Sequence, residues 1–375
     1  MRYDYLIVGS GIFGSVFARE MADAGASCLV IDKRNHIGGN CYTENVDGIN
    51  VHKYGAHIFH TNSRKVWEYV NRFAEFNNYR HTVKANSSGE IYSFPINMMT
   101  FYQMWGVTTP KQAMDRVFNE RESFKEPSNL EEWILSKVGR EIYEKFVYGY
   151  TKKNWGQEPK DLPSSIIKRI PIRYTYDDSY FFDKYQGIPI GGYTAIFDGL
   201  LKGIPVETGV DFLKDREKLE GLAEKIVYTG SIDELFDCDE GRLDWRSTKF
   251  TQKEIDGDYQ GTSVVNYTDE KIPFTRITEH KHFELGESGM GSTVITHEYP
   301  QKWSPGKIKI YPINNERNEK LHSSYKNRVG ENYITGGRLA EYRYYDMHQV
   351  LASSLNKVSH EKKRLVCKIG YKQSR

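Results

Sequence analysis

The first 32 residues contain the pattern that constrains the fold of this chain most. An apolar run over residues 3–8 leads directly into a turn that contains Gly9, Gly11 and Gly14, and apolar residues at helical spacing follow. A strand, a glycine turn and a helix in this order are typical of the first unit of a Rossmann-like domain. There the first glycine permits the tight turn, the second lets a pyrophosphate approach the backbone, and the third lets the helix pack closely on the strand. The pattern therefore predicts a dinucleotide at the N-terminus of this helix.

A second apolar run ends at Asp32, 18 residues after Gly14. A carboxylate at this distance can accept hydrogen bonds from the ribose hydroxyls of an adenosine. The alternative, an ordinary strand–helix–strand turn without a ligand, does not account for the acid. NAD and FAD share this fingerprint, but the second glycine pair, Gly38 and Gly39, is typical of FAD proteins of the amine-oxidase type.

Length and composition extend the prediction to the whole chain. At 375 residues it exceeds the roughly 250–300 at which one hydrophobic core stops growing, so we expect two or more domains. Hydrophobic residues make up 38% and charged residues 27%, which excludes a disordered chain and a membrane protein. A net charge of +2 argues against nucleic-acid binding, and four widely spaced cysteines suit a reducing cytoplasm. The one local excess, six cations and one anion in residues 361–375, predicts a solvated tail.

Hydrophobic periodicity predicts the rest of the architecture. The region from about residue 97 to residue 160 is helical in pattern, and an apolar ridge runs from Ile134 to Tyr150. Core packing explains the first part of this ridge, whereas Phe146 and Tyr150 lie where the helix ends and can face a ligand. Alternation with a period of two predicts antiparallel strands within residues 261–267, 274–283 and 292–299.

Histidines in these segments raise the question of a metal. His57 and His60 have the spacing of a metal pair, but the sequence offers no third ligand nearby and no His-Glu-x-x-His motif. His280 and His282 would share one face of a strand, which a half-exposed sheet explains without a metal. We therefore predict no metal site. A glycine beside an imidazole, as at His57, instead indicates close approach to a flavin ring.

A basic pair, Lys168 and Arg169, lies between Pro163 and Pro171. Prolines remove backbone donors and oppose helix continuation, so this segment is predicted to be a surface loop with stiff ends. Such a loop can bring Arg169 onto a phosphate and close over it. A solvated surface arginine is the alternative.

Considered together, the motifs of residues 1–352 resemble the bacterial UDP-galactopyranose mutases. The matching segments occur in order and include both glycine turns, the histidine segment and the basic pair. They are residues 9–14, 33–40, 54–60, 149–156, 167–171, 185–189, 275–283 and 336–350.

The resemblance implies an enzyme that binds FAD and interconverts UDP-galactopyranose and UDP-galactofuranose without net redox change. It also implies that the flavin must be reduced, by NAD(P)H or another reductant, and that flavin N5 forms a covalent adduct with the sugar once UDP is displaced. The product would supply galactofuranose for cell-surface polysaccharide. A cytoplasmic homodimer in contact through the helical domain is implied, with no nucleic-acid partner and no membrane insertion.

The implied fold is an α/β protein: a Rossmann-like FAD-binding domain with an inserted helical bundle domain and an antiparallel β-sheet domain. The FAD-binding domain would comprise residues 1–85, 190–240 and 325–375, and the helical domain residues 97–160. The sheet domain would comprise residues 86–96, 161–189 and 241–324, with a mobile loop at residues 163–171.

Site residues carry over through the matching motifs. Arg169 and Arg276 would hold the diphosphate as forked donors, and His60 would lie close to both flavin and sugar. The other residues expected to contact the substrate are His81, Phe146, Tyr150, Thr151, Trp155, Tyr180, Asn266, Tyr311 and Tyr344. Those expected to contact FAD are Gly9, Gly11, Phe13, Gly14, Asp32, Lys33, Gly39, Asn40, His57, Ile58, Arg338, Tyr345, Asp346, Met347, Gln349 and Val350.

The chain departs from the family pattern at His81, where many relatives have Asn, and residues after about 355 match nothing in the family. Two other functions stay open. A flavin amine oxidase or dehydrogenase of the same fold would turn over with oxidised FAD. A non-catalytic nucleotide-sugar binder would account for the 27 tyrosines, because their rings stack and their hydroxyls donate.

Overall fold

The structure is a computed structural model that describes residues 2–166, 171–284 and 291–373. Its strands are β1 (Tyr3–Val8), β2 (Cys28–Asp32), β3 (Thr43–Val46), β4 (Ile49–His52), β5 (Phe59–Thr61), β6 (Val83–Ser87), β7 (Glu90–Phe94), β8 (Tyr185–Gly187), β9 (Val206–Thr208), β10 (Ala223–Tyr228), β11 (Trp245–Asp256), β12 (Val264–Tyr267), β13 (Arg276–Glu279), β14 (Ser292–Lys302), β15 (Tyr311–Pro312) and β16 (Tyr333–Thr335). Its helices are α1 (Ile12–Asp23), α2 (Arg64–Val70), α3 (Met98–Trp105), α4 (Pro110–Glu120), α5 (Leu130–Val138), α6 (Arg140–Ile142), α7 (Gly149–Trp155), α8 (Thr194–Leu201), α9 (Arg216–Glu220), α10 (Glu316–Asn327), α11 (Gly337–Ala340) and α12 (Met347–Gln373).

A parallel sheet carries the glycine turn. Its strand order is β16–β10–β1–β2–β9, and α1 connects β1 to β2. Val8 pairs with both Tyr228 and Ile31, so the carboxyl ends of three strands meet at one edge. This is the edge at which doubly wound sheets bind their ligands. The predicted Rossmann-like domain is confirmed.

A second, mixed sheet has the order β15–β11–β14–β13–β12–β6–β7. Its neighbours are antiparallel except for β12 and β6, which run parallel. The prediction that residues 274–283 form one strand is wrong at its end, because β13 stops at Glu279 and residues 280–283 form a 3₁₀ turn. His280 and His282 therefore do not share a strand face: His280 is buried against Thr296, whereas His282 bonds Asp258.

The helical segment between β7 and β8 in the chain is built from α3 to α7, with a π-helical turn over Tyr143–Tyr148. Side chains cap its helices: Asn97 accepts amide protons at the start of α3, Thr109 at α4 and Asn129 at α5. The sequence predicts that the first domain ends between residues 85 and 86, and β6 spans this position. The domain limits stay predictions.

The predicted solvated tail is wrong for the first residues of the basic segment. They continue α12, which packs against α1 beside the parallel sheet. The Glu361 carboxylate is buried and accepts hydrogen bonds from the Tyr5 hydroxyl at 3.1 Å and from Lys225 Nζ at 2.6 Å, and Lys362 pairs with Glu20. Within the described residues, none of the helices offers an apolar stretch long enough to cross a bilayer.

Candidate functional site

A cavity of about 1230 Å³ extends from the carboxyl edge of the parallel sheet to the second sheet. Gly11 and Asp32 line one part of it, and Arg276 and Tyr311 line another. Pockets for a single small ligand are commonly 300–1,000 Å³, so this cavity has room for a cofactor together with a substrate.

The three glycines of the first turn have different surroundings. Gly9 has a φ of +106°, and a Cβ there would lie 2.0 Å from Thr229 Oγ1. A Cβ on Gly14 would lie 2.0 Å from the carbonyl oxygen of Gly9, so the helix can pack on the turn only without one. A Cβ on Gly11 would meet nothing closer than the Cα of Gly39 at 4.0 Å. The backbone at Gly11 is therefore open to the cavity, as a pyrophosphate requires.

Asp32 ends β2, and its carboxylate is held in a fixed orientation. One oxygen accepts the Ser10 amide at 2.8 Å and the Ser10 hydroxyl at 2.6 Å, and the other accepts the Arg34 amide at 2.9 Å. The oxygen that accepts the Arg34 amide has a second lone pair, which can accept a ribose hydroxyl. Together with the open backbone at Gly11, this acceptor fits an adenine dinucleotide of the FAD type.

The histidine predicted beside a flavin is half-buried on the cavity wall and is neutral. His57 Nδ1 donates to the carbonyl oxygen of Gly55 at 2.7 Å, which leaves Nε2 as an acceptor. Burial lowers the pKa of His57 to about 4, although the bond to Gly55 acts in the opposite direction. The Arg338 guanidinium on α11, close to His57, lines the same cavity and donates to the carbonyl of Ile310.

Most of the cofactor residues predicted from the sequence lie together on the cavity wall. Gln349 is the exception: it is exposed, and its side chain accepts the amide of Asp346 at 2.9 Å. The residues on the wall are Gly9, Gly11, Phe13, Gly14, Asp32, Lys33, Gly39, Asn40, His57, Ile58, Arg338, Tyr345, Asp346, Met347 and Val350.

His60 lies on the same wall and is oriented by two neighbours. Its Nδ1 bonds the Asp183 carboxylate, and its ring stacks on Phe181 with centroids 3.7 Å apart. In the neutral ring this bond places the proton on Nδ1 and leaves Nε2 as an acceptor. His60, Asp346 and His348 each offer one possible metal-ligand atom, and these atoms lie within 4.8 Å of one another.

Arg276 is the centre of the polar end of the cavity. Its Nε donates to Asn266 Oδ1 at 3.2 Å, its Nη2 donates to the Tyr150 hydroxyl at 3.4 Å, and its Nη1 lies 3.7 Å from Glu298 Oε1. Burial alone would lower the pKa of Arg276, but Glu298 and the hydroxyls of Tyr150 and Tyr311 raise it on balance. The guanidinium is thus permanently charged and fixed, while 23% of its side chain stays exposed to the cavity.

Aromatic rings surround this arginine. Tyr311 and Tyr344 stack with centroids 5.7 Å apart, and the Trp155 ring lies 6.3 Å from Tyr311. Across the cavity, the His81 ring lies 5.2 Å from that of Tyr180. Burial lowers the pKa of His81 to about 3, with Arg276 and His60 acting in the same direction, so His81 is neutral.

The remaining predicted substrate residues are divided. Tyr150, Trp155 and Asn266 are not among the described residues of the cavity wall, but they contact residues that are: Tyr150 and Asn266 accept hydrogen bonds from Arg276, and Trp155 lies beside Tyr311. Phe146 instead packs in the core against Tyr92, with ring centroids 5.1 Å apart, because the π-helical turn directs it toward β7. Thr151 is buried as well, and neither of these two is among the described residues of the cavity wall.

The predicted loop arginine, Arg169, lies outside the described residues. The described chain resumes at Pro171, which lines the cavity. The predicted mobility of residues 163–171 therefore stays a prediction.

The sequence reasoning missed Glu298 and Asp183. Burial raises the pKa of the Glu298 carboxyl, against the lowering effect of Arg276, and its Oε1 accepts no hydrogen bond among the described residues. Glu298 lies within the alternating pattern of β14, where nothing separates it from a surface glutamate. Asp183 follows a run of aromatic residues, and its partner His60 is 123 positions away.

Two family models and several known proteins match this chain. A family model described as UDP-galactopyranose mutase matches residues 145–344, and one described as an NAD(P)-binding Rossmann-like domain matches residues 7–73. Two curated relatives are each 40% identical to this chain. One is a dTDP-fucopyranose mutase of Escherichia coli, matched over 91% of this chain and 94% of the relative. The other is a probable UDP-galactopyranose mutase of Klebsiella pneumoniae, matched over 93% of this chain and 92% of the relative.

Solved structures agree on the fold. The crystal structure of a reduced UDP-galactopyranose mutase matches with a TM-score of 0.75 over 96% of this chain and 94% of that one, at 13% identity. A putrescine oxidase variant matches with a TM-score of 0.57 over 96% and 99%, at 11% identity. Because the family model spans more than half of the sequence and two relatives are 40% identical over more than nine-tenths of it, this chain belongs to the UDP-galactopyranose mutase family of isomerases.

Proposed function

We propose that this protein interconverts UDP-galactopyranose and UDP-galactofuranose, with FAD as cofactor and only when the FAD is reduced. The proposal rests on one observation, the set of residues that line a single cavity. Gly11 and Asp32, which suit a dinucleotide, line it together with Arg276, a fixed and permanently charged arginine suited to a diphosphate. When bound, the reduced flavin supplies through its N5 the nucleophile for covalent transfer of the sugar.

The chain's own residues hold the nucleotide and orient the sugar. The Arg276 guanidinium binds the diphosphate and stabilises the negative charge that develops on it as the bond to the anomeric carbon breaks. Asn266 and Tyr150 fix the plane of the guanidinium, and the hydroxyls of Tyr311 and Tyr344 reach the same oxygens. The resemblance adds Arg169 as the second cation on the diphosphate.

His57, in its neutral form, and His60 act near the reacting atoms, each through a ring nitrogen that accepts a hydrogen bond. His57 Nε2 accepts a hydrogen bond at the flavin end, and His60 Nε2 accepts one from a sugar hydroxyl. The Asp183 carboxylate stabilises the His60 tautomer that this role needs.

One chromatographic assay tests the proposal. UDP-galactopyranose is incubated with enzyme before and after reduction by dithionite or NAD(P)H, and the furanose nucleotide is quantified. We expect product only with the reduced enzyme. Turnover by the oxidised enzyme with stoichiometric oxygen consumption would instead identify an oxidase of the same fold, and indifference to flavin state would identify a binder.

A second substrate pair is supported by one specific observation. The Escherichia coli relative is named a dTDP-fucopyranose mutase and is as similar to this chain as the Klebsiella pneumoniae relative is. The two substrates differ in the base, in the 2′-hydroxyl of the nucleoside and in the hydroxyl at C6 of the transferred sugar. The ratio of kcat/KM for the two nucleotide sugars, measured with reduced enzyme, decides between them, and we expect UDP-galactose to be preferred.

We also propose a homodimer that forms through the helical segment, in the cytoplasm. α3 and α4 expose four large apolar side chains, those of Met99, Tyr102, Met114 and Phe118, between 41% and 63% accessible. Clustered exposed apolar residues of this size commonly mark an interface. Light scattering is expected to give a dimer for the wild type and a monomer for Phe118→Glu.

A further inference from the structure

Behind the polar end of the cavity, a lysine connects the two elements that form it. Lys153 lies on α7 between Thr151 and Trp155, and it is not among the described residues of the cavity wall. Its Nζ donates to three backbone carbonyls, those of Tyr267 at 2.8 Å, Asp269 at 2.7 Å and Phe274 at 3.0 Å. An ammonium group has three N–H donors, so these bonds use all of them.

The three carbonyls belong to the last residue of β12, Tyr267, and to the loop between β12 and β13. Asn266 and Arg276 are paired in register on these strands, on either side of the loop. Tyr267 and Asp269 lie where the loop begins, and Phe274 lies near its end. Lys153 thus joins both ends of the loop that presents Arg276.

The helical segment and the loop also touch beside the lysine. A Cβ on Gly149 would lie 2.4 Å from the carbonyl oxygen of Thr268, so the helix backbone packs directly on the loop. The Thr268 hydroxyl donates to the carbonyl of Lys145 at 2.7 Å. On the cavity side the same two elements meet where Arg276 donates to Tyr150.

The cost of burying this cation indicates that its position matters. Burial lowers the pKa of Lys153 to about 8, while the Asp269 and Glu270 carboxylates act to raise it, so it carries its charge at neutral pH. Removing a cation from water is unfavourable unless hydrogen bonds replace the lost solvent, and the three carbonyls do so.

We propose that Lys153 is a positioning residue that fixes the β12–β13 loop on α7 and thereby holds Arg276 in place for the diphosphate. The claim that Arg276 is held for the diphosphate rests on the proposed function. The claim that Lys153 fixes the loop is independent of that function and can be measured separately.

The test compares three variants of the full chain loaded with FAD. Lys153→Met keeps the length of the side chain and removes its donors, and Lys153→Arg restores charge and donors. Lys137→Met is the control, because Lys137 is an exposed lysine on α5 of the same helical segment and its Nζ lies 5.9 Å from the centroid of the Trp133 ring on that helix. Amide hydrogen exchange of residues 267–275 reports on the loop, and KM and kcat for UDP-galactopyranose report on the site.

In Lys153→Met we expect exchange of the loop amides to be at least about tenfold faster and KM to rise about tenfold or more, since hydrogen bonds from a charged donor are lost. Flavin absorbance should be retained, Lys153→Arg should recover part of both effects, and Lys137→Met should behave as wild type. Unchanged exchange and KM in Lys153→Met, or equal effects in Lys137→Met, would overturn the proposal.

If Lys153→Met does not fold, Lys153→Gln is measured, and wild-type values of exchange and KM in that variant would equally overturn it. Faster loop exchange in Lys153→Met, together with a wild type that has no mutase turnover, would support the fixing of the loop and refute the proposed function.

Discussion

At the scale of single residues, the proposed reaction depends most on Arg276, whose orientation is determined by Asn266, Tyr150 and Glu298. We predict that Arg276→Ala lowers kcat/KM by about two to three orders of magnitude, the usual effect of removing one preorganised donor to developing charge. FAD should stay bound, since the arginine lies at the other end of the cavity from Gly11. Steady-state kinetics and flavin absorbance check this, with the exposed Arg64 changed to Ala as control.

Near-normal kcat/KM in Arg276→Ala would remove this residue from the mechanism. Loss of flavin together with activity would indicate a structural role instead.

The glycine turn allows a second residue-scale prediction, because its members differ in the space around them. Gly11→Ala adds a methyl group that meets no protein atom closer than 4.0 Å, so the apoprotein should melt at its usual temperature while FAD affinity falls. Gly14→Ala places the same group 2.0 Å from the Gly9 carbonyl and should destabilise the fold itself. Thermal melting with and without FAD measures both. Equal melting temperatures of the two apo variants would contradict this interpretation.

Residue-scale prediction from the sequence worked where a local motif specifies geometry. The glycine pattern from Gly9 to Gly14 specifies one backbone geometry for the turn between strand and helix. The space around each glycine could therefore be predicted. Glu298 could not be found in this way, because its partner Arg276 is brought to it only by the pairing of β13 with β14.

At the scale of elements, α12 shows how a polar segment becomes structural. The buried Glu361 connects this helix to β1 through Tyr5 and to β10 through Lys225. We predict that Glu361→Ala lowers the free energy of unfolding by about 1–3 kcal/mol, since it leaves two partly buried donors without their acceptor. Urea denaturation measures the change. Glu316→Ala, which breaks an exposed pair with Lys320, should cost less than about 0.5 kcal/mol.

If both substitutions lower the free energy of unfolding by the same amount, the contacts of Glu361 on α12 contribute no more to stability than an exposed ion pair does. The sequence predicted a solvated tail here because charge density alone does not reveal which charges face a sheet. The apolar spacing that continues through Val358, a buried residue, was the available signal.

At the scale of the whole molecule, hydrophobic periodicity predicts the two sheets, but it does not predict that they line one cavity. Parallel strands such as β1 and β2 are continuously apolar, and β14 alternates, so each sheet type could be predicted from its residues. The cavity between them depends on contacts such as His60 with Asp183, which are far apart in sequence and leave no local pattern.

This packing also buries several histidines in neutral form, which makes stability depend on pH. Burial lowers the pKa from 6.5 to about 4 for His57 and to about 3 for His81 and His280. In the unfolded chain these groups take up protons below about pH 6.5, whereas the folded chain does not. The free energy of unfolding should therefore be fully present at neutral pH and be lost as the pH falls from about 6.5 toward 4.

Once all three histidines are protonated in the unfolded chain, the loss approaches about 4 kcal/mol per pH unit, since each contributes about 1.4 kcal/mol. Glu298, whose pKa burial raises, acts in the opposite sense and reduces this slope. Urea denaturation of the apoprotein between pH 7.5 and pH 5 measures it. In His81→Asn the dependence of the free energy of unfolding on pH should be weaker by about 1.4 kcal/mol per pH unit, the contribution of one proton. A free energy of unfolding that is constant over this range would mean that the histidines ionise in the folded protein. Water would then have more access to these side chains than their burial indicates.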